Sequence, residues 1–499
     1  MSALVIASNR GPWRFTLQPD GRLSWRRGAG GLVSALTPAL EGHACTWISA
    51  AITDGDRAAA DGNGSPEGPA GSQLRMLTFE PTTYERYYHD VANRTLWFLQ
   101  HHLLDTAGVA FDHRFRAAWA SYREVNRAFA EACDEATNPG GEVHLEDYHL
   151  ALAPAMLRER RPDVRILHLV CCPWAGPDDF GVLPDAVACE LLAGMLGADL
   201  IGFLTHRWAR SFLACCEAAG YEVDRQRDAV RAKDGHVAHV RPYPLGVDEQ
   251  DLRRLIRQGA AVTGGPDDAP SRGVPDGGRL VVRVDRLEPS KNIVRGLDAF
   301  AAFLEQNPRF LGEVTHLVLV SLSREGMAEY RRYHCEVEQR AEMVNQRFGT
   351  AGWTPVRLVV LDDHPRALRA MAAADVLVVN PVWDGMNLVA KEAACVNERD
   401  AVLILSRNAG AADDLRAGAL LVNPFDTAEL ADTLATALSL EADDRAERAR
   451  QLREGASRMP PRQWLLAQRH DLARMQTEGS AWPRGKSPAG EKGGLTSQI

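Results

Sequence analysis

The segment Trp383-Asp384-Gly385-Met386-Asn387-Leu388-Val389-Ala390-Lys391-Glu392 places a carboxylate, an amide and a second carboxylate within one short stretch. The apolar run Asp375–Asn380 precedes it and reads as a buried strand. The segment therefore opens a helix just past a strand's carboxyl end, where open α/β sheets bind ligands. Backbone N–H groups of Asn387, Leu388 and Val389 would face an anion there, helped by the helix dipole. Glu392, one turn further on, could accept hydrogen bonds from vicinal hydroxyls. Such a set suits a sugar nucleotide, although an ordinary capped strand–turn–helix fits the same spacing.

Other strand ends carry similar side chains. Ser8-Asn9-Arg10-Gly11 closes the first apolar run, and Arg27-Gly28-Ala29-Gly30-Gly31-Leu32 follows. A glycine run admits close backbone approach, and a guanidinium binds a phosphomonoester bidentately. A turn with a solvated arginine is the plainer alternative. Tyr88 and Trp97 could line a sugar face or reach a phosphate, or could be core aromatics of a helix. His101-His102 has no third ligand at a metal-binding spacing. Asp147, in Glu146-Asp147-Tyr148-His149, is placed either to orient hydroxyls or to cap a helix, and His168 lies near the next strand's end. In Asp285-Arg286-Leu287-Glu288-Pro289-Ser290-Lys291, a guanidinium and an ammonium on one turn could clamp a diphosphate, if they are not merely surface ion pairs. Arg324 follows the next strand pattern and could add a further phosphate contact.

The elements that position these groups alternate. Strands are expected at Leu4–Ser8, Thr46–Ala50, Val143–Asp147, Arg165–Cys171, Ala198–Phe203 and His239–Leu245. A second set falls at Arg279–Val284, His316–Leu322, Arg357–Leu361, Asp375–Asn380, Ala401–Leu405 and Ala419–Val422. Helical patterns lie between them, including Phe115–Cys133, Ile293–Glu305 and Leu388–Val396. Continuous apolar strands mean burial on both faces, hence parallel sheets covered by helices. Thr53–Gln73 and Gly259–Gly278 read as loops. The second loop divides an α/β chain into two Rossmann-like, doubly wound domains, 1–258 and 279–475, facing a cleft, with 476–499 expected to be a disordered tail.

Bulk properties exclude several classes. A chain of 499 residues is too long for one core. Net charge is −9 with both signs interspersed, which disfavours nucleic acid as a partner. No apolar run is long enough to span a membrane, and the opening Met1-Ser2-Ala3-Leu4 has no signal-peptide layout. Nine cysteines without a Cys-x-x-Cys pair suggest neither a disulfide framework nor a zinc site, so a reducing cytoplasm is expected. The sequence leaves a homo-oligomer open.

These motifs, in this order, resemble the trehalose-6-phosphate synthase family, retaining glycosyltransferases of the GT-B fold. The resemblance runs from about Leu4 to Arg474 and includes Ser8-Asn9-Arg10, Gly30-Gly31-Leu32, Leu96-Trp97-Phe98, Asp147-Tyr148-His149-Leu150, Val284-Asp285-Arg286-Leu287 and Asn423-Pro424-Phe425-Asp426. Its most specific motif is Asp384-Gly385-Met386-Asn387-Leu388-Val389-Ala390-Lys391-Glu392. It implies that Arg286 and Lys291 hold a donor diphosphate, Glu392 the ribose, and Gly30, Gly31, Asn387 and the Leu388 and Val389 amides the rest of the donor. Asp384 and His168 would contact the transferred sugar. Arg10, Tyr88, Trp97 and Arg324 would hold a phosphorylated acceptor, with Asp147 near the reacting hydroxyls. The expected reaction moves glucose from UDP- or GDP-glucose to glucose 6-phosphate, with retention. It needs no metal, no other cofactor and no covalent nucleophile.

Three positions depart from the family pattern. Val170-Cys171-Cys172 stands where Pro-Phe-Pro is usual after the histidine strand, Glu146 where His or Gln precedes the aspartate, and Ala50 where a second tryptophan is usual. A smaller residue at Ala50 would widen the acceptor pocket. These changes keep two further readings open. One is a pseudo-glycosyltransferase coupling an activated cyclitol to an aminocyclitol or other sugar phosphate, or a maker of a glucosylglycerol-type phosphate. The other is a non-catalytic sugar-phosphate sensor, which would have no use for Arg286, Lys291 and Glu392 together.

Overall fold

A computed structural model describes residues 2–28, 31–40, 43–61, 71–263, 274–275 and 277–477. Gly30, the Gly259–Gly278 loop centre and the tail beyond 477 lie outside the described residues.

The strands in chain order are β1 Ser2–Ser8, β2 Trp13–Leu17, β3 Leu23–Arg27, β4 Thr46–Ala50, β5 Gln73–Leu77, β6 Thr137–Glu146, β7 Arg165–Val170, β8 Leu200–Phe203, β9 Glu222–Asp224, β10 Ala229–Arg231 and β11 Val237–Pro242. The second half continues with β12 Arg279–Arg286, β13 Val314–Ser321, β14 Val356–Val360, β15 Val376–Val379, β16 Val402–Ser406 and β17 Leu420–Val422. The first sheet runs β5-β4-β1-β6-β7-β8-β11-β10-β9, and the second β14-β13-β12-β15-β16-β17. All pairings of the second sheet are parallel. In the first sheet only the β11-β10-β9 edge is antiparallel. That edge and the β2-β3 hairpin are short, polar or half-exposed, which is why continuous apolar runs do not disclose them.

The physical basis is visible in β15, whose four residues Val-Leu-Val-Val are all buried. Helices on both faces cover such strands and return each chain segment to the same sheet edge. The carboxyl ends of the parallel strands therefore point one way in each sheet. The fold is GT-B, two Rossmann-like layers with their ligand-binding edges opposed.

Two details differ from the expected partition. The helix Glu249–Thr263 runs through the boundary placed at 258. The helix Pro461–Thr477, assigned by sequence to the second domain, returns to the first sheet. There Trp464 Nε1 donates to the Tyr243 carbonyl at 3.0 Å, and Arg469 Nε donates to Glu142 at 3.0 Å. The helix is apolar on two sides (Trp464, Leu465 and Leu472 are buried), so it can seal one sheet while continuing from the other.

The two halves meet closely. Gly385 lies so near the Cys171 carbonyl that a β-carbon there would collide with it. Trp208 Nε1 donates to the Gly385 carbonyl at 3.0 Å, and Lys391 Nζ to the Leu245 carbonyl at 2.7 Å. Glycine is required at 385 by this approach of one backbone to another.

Candidate active site

On the second sheet, Arg286 ends β12 and Lys291 ends the short 3-10 turn Pro289–Lys291. Arg286 pairs with Glu288 at 2.9 Å, and Lys291 Nζ pairs with Asp384 at 2.5 Å. Glu288, fully buried, also receives Arg324 at 3.0 Å. Burial would raise the Glu288 and Asp384 carboxyls, but the surrounding cations outweigh it and hold both below their ordinary values. Lys291 is raised, burial being overcome by Asp384 and Glu288.

The helix Leu388–Val396 starts where the sequence places it. Asn387, at φ 75°, caps it by accepting from Ala390 N at 3.2 Å and donates through Nδ2 to Asp384 at 3.0 Å. The amides of Leu388 and Val389 fall in the first turn, where no intrahelical acceptor exists. Both residues are half-buried and so can face a ligand. Glu392 is held 3.2 Å from His364 Nε2.

On the first sheet, Arg10 follows β1 and donates to the Tyr88 hydroxyl at 2.8 Å. Tyr88 and Trp97 lie on a π-helix, Arg86–Trp97. At about 3.6 residues per turn, an α-helix would set residues nine apart on opposite faces. The wider i→i+5 winding turns less per residue and brings both rings to the site. Burial would raise the Tyr88 phenol, but Arg10 and Arg324 outweigh it and bring it down to about 8. His149 stacks on Tyr88 with ring centroids 5.9 Å apart, and burial followed by Arg324 and Arg10 keeps it neutral, well below its ordinary value.

Trp97 joins the two groups of cations. Arg286 lies 5.6 Å and Arg324 4.4 Å from its ring centroid. Arg324, at φ 47°, also donates to Tyr330 at 2.6 Å and lies 3.4 Å from the Tyr148 hydroxyl. His101 stacks on Trp97 at 3.7 Å, and burial lowers its pKa to about 3.

Asp147 sits at φ 70° just past β6, and its carboxylate accepts from Cys171 N at 3.1 Å. Burial lifts it to about 6, despite backbone donors and Arg324. Beside it Glu146 is 1% exposed, with neither carboxyl oxygen partnered, and burial together with the Asp147 charge lifts it to about 8.

Thus Arg10, Tyr88, Trp97, Asp147, Arg286, Lys291, Arg324, Asp384, Asn387, Leu388 and Val389 converge through linked contacts. Gly31 begins the helix Gly31–Ala39. His168 is 0% exposed, with Nε2 3.1 Å from the Asp147 carbonyl and Nδ1 without a partner. It lies inside β7, and the residue at the strand's end that borders Asp147 and Gly385 is Cys171. Ala50, expected to open the acceptor pocket, is 3% exposed and belongs to the same buried cluster as Tyr87 and Tyr88. Glu288, Tyr148, His149 and Tyr330 stand among these groups although sequence reading gave them no role, and His101, weighed there only as a metal ligand, stacks on Trp97 instead. Glu288 had a usable signal, a lone acid between two candidate phosphate ligands on one turn.

Residues 2–474 match the family model described as glycosyltransferase family 20. The trehalose-6-phosphate synthase of Mycobacterium avium is 33% identical over 472 residues, covering 91% of both chains. The UDP-forming alpha,alpha-trehalose-phosphate synthase 2 of Aspergillus niger is 32% identical over 477 residues, covering 92% of this chain and 95% of its own. A solved structure described as trehalose-6-phosphate from E. coli bound with UDP-2-fluoro glucose superposes with a TM-score of 0.82 at 26% identity, covering 94% of this chain and 98% of that one. An alpha,alpha-trehalose-phosphate synthase (UDP-forming) from Burkholderia xenovorans in complex with glucose-6-phosphate gives 0.81 at 26%, covering 94% and 99%. With the family model spanning nearly its whole length, this chain belongs to glycosyltransferase family 20.

Proposed function

We propose that the chain is a retaining hexosyltransferase that moves glucose from a nucleotide sugar to glucose 6-phosphate, giving trehalose 6-phosphate and a nucleoside diphosphate. The observation that carries this is the Trp97 junction, where Arg286 of one cation group and Arg324 of another meet the same ring. One group, with Lys291 and the Leu388 and Val389 amides, suits a diphosphate. The other, with Arg10 and Tyr88, suits a phosphomonoester.

In this reading the donor's anomeric carbon lies between Asp384 and Asp147. The acceptor hydroxyl attacks on the face the diphosphate leaves. The bond to the leaving phosphate oxygen breaks, the new glycosidic bond forms, and the hydroxyl proton passes to that phosphate oxygen. Rate comes from positioning and from Arg286 and Lys291 stabilising the departing charge. The nucleotide sugar is a substrate, and those two cations occupy the role that a divalent metal would otherwise fill. His168, with Nε2 3.1 Å from the Asp147 carbonyl, contacts the transferred sugar in this reading.

Mass spectrometry after incubation with UDP- or GDP-glucose and glucose 6-phosphate tests the reading. A dihexose phosphate with release of nucleoside diphosphate is expected. Acceptor binding with no turnover of any nucleotide sugar would identify a sensor, and turnover only with an activated cyclitol would identify a pseudo-glycosyltransferase.

A further inference from the structure

Arg283 is a fully buried arginine in β12, among Val281, Val282 and Val284. Its Nε donates to Asp285 at 2.8 Å. One terminal nitrogen donates to the Lys291 carbonyl at 2.7 Å and to Asn380 Oδ1. The other terminal nitrogen is buried without a partner. Space for the group comes from the neighbouring helix Ile293–Gln306, where a β-carbon at Gly296 would collide with the guanidinium. Asn292, at φ 60°, completes the arrangement by donating to the carbonyls of Asn380 at 3.0 Å and Pro424 at 2.7 Å.

A buried ion pair such as Arg283 with Asp285 is costly to desolvate, and hydrophobic residues of similar volume would often serve stability equally well. What a hydrophobic residue could not do is hold the Lys291 carbonyl. That carbonyl belongs to the residue whose ammonium meets Asp384 at 2.5 Å. A planar fork fixes three groups in one plane, and a lysine or glutamine at 283 would not reproduce it.

We propose that Arg283 is a positioning residue for the donor diphosphate: admitted by the missing side chain at Gly296, its guanidinium sets the Lys291 turn, so that donor affinity depends on it and acceptor affinity does not. The proposal rests on the reading of Arg286 and Lys291 as the diphosphate clamp.

Calorimetry of the full chain with UDP and, separately, with glucose 6-phosphate tests it in Arg283→Lys and Gly296→Ala, with thermal melts of each. Alanine is the better helix former, so Gly296→Ala displaces the guanidinium without weakening the helix intrinsically. Arg283→Lys is expected to weaken UDP by about tenfold to a hundredfold, as a misplaced clamp should. Gly296→Ala should weaken it in the same direction, with glucose 6-phosphate affinity within about twofold in both. Parallel loss of both ligands, or a lowered melting temperature with UDP affinity unchanged, would overturn the proposal and leave Arg283 a structural staple. Failure of the wild type to bind UDP at all would instead overturn the donor reading, and this proposal with it.

Discussion

The two cation groups flanking Trp97 are built differently. On the donor side each cation already has a carboxylate partner: Arg286 with Glu288, Lys291 with Asp384. On the acceptor side, among the described residues, Arg10 has a phenol and no carboxylate. A diphosphate must therefore exchange partners with built-in acids, which favours a ligand whose geometry matches the clamp. A phosphomonoester meets Arg10, whose charge no carboxylate among the described residues neutralises, and Arg324, which shares Glu288 with Arg286. Specificity on one side is a matter of shape, and on the other of charge, with Arg324 and its Glu288 contact linking the two.

Substitutions can break this contrast. The largest effect should follow Lys291→Ala, which removes a cation facing the leaving group and leaves Asp384 buried. Steady-state kinetics should show kcat/KM lower by about a thousandfold, with glucose 6-phosphate affinity preserved. Arg10→Ala should raise the acceptor KM by about a hundredfold, near 3 kcal/mol, with donor KM unchanged. Equal changes in both constants would erase the distinction.

Tyr88 sharpens it through pH. With its phenol near 8, a phenolate develops at alkaline pH and repels the acceptor phosphate. Acceptor affinity should fall above about pH 8, and Tyr88→Phe should abolish that fall, at a cost of about tenfold in acceptor KM at neutral pH. The measurement is KM against pH for both enzymes.

Glu146 tests burial rather than binding. Its folded pKa is raised to about 8, whereas an unfolded glutamate titrates near 4.3. The native state keeps a proton that the unfolded chain releases, so this group's contribution to stability falls as pH rises between those values. Glu146→Gln should therefore raise stability at pH 8 by up to about 5 kcal/mol relative to wild type, and by little at pH 4, in denaturant titrations. The smallest effect expected is that of chelation. Excess EDTA should leave the rate unchanged, since Arg286 and Lys291 carry the charge stabilisation in this account.

Much of the frame is legible in the sequence because it depends on local pattern. Each continuous apolar run expected to be a strand is one, and the helix Leu388–Val396 has the expected ends, because β-branched runs and an Asn cap act over a few residues. Arg10, Asp147, Arg286, Lys291 and Arg324 could be found because polar groups at strand ends break that pattern. Properties set by rotation or register could not. The facing of Tyr88 and Trp97 depends on π winding, which no spacing rule announces. His168 lies two residues short of the end of β7 at Val170 and is 0% exposed, and its contact with the Asp147 carbonyl is set by the neighbouring strand, not by local spacing. The return of Pro461–Thr477 to the first sheet is a long-range choice made by Trp464 and Arg469.

A crystal structure of the enzyme with UDP and glucose 6-phosphate bound together tests the central claim most directly. The account predicts the diphosphate against Arg286, Lys291 and the Leu388 and Val389 amides, and the sugar phosphate against Arg10, Tyr88 and Arg324. A diphosphate lodged away from Arg286 and Lys291, or both phosphates in one cation group, would contradict it.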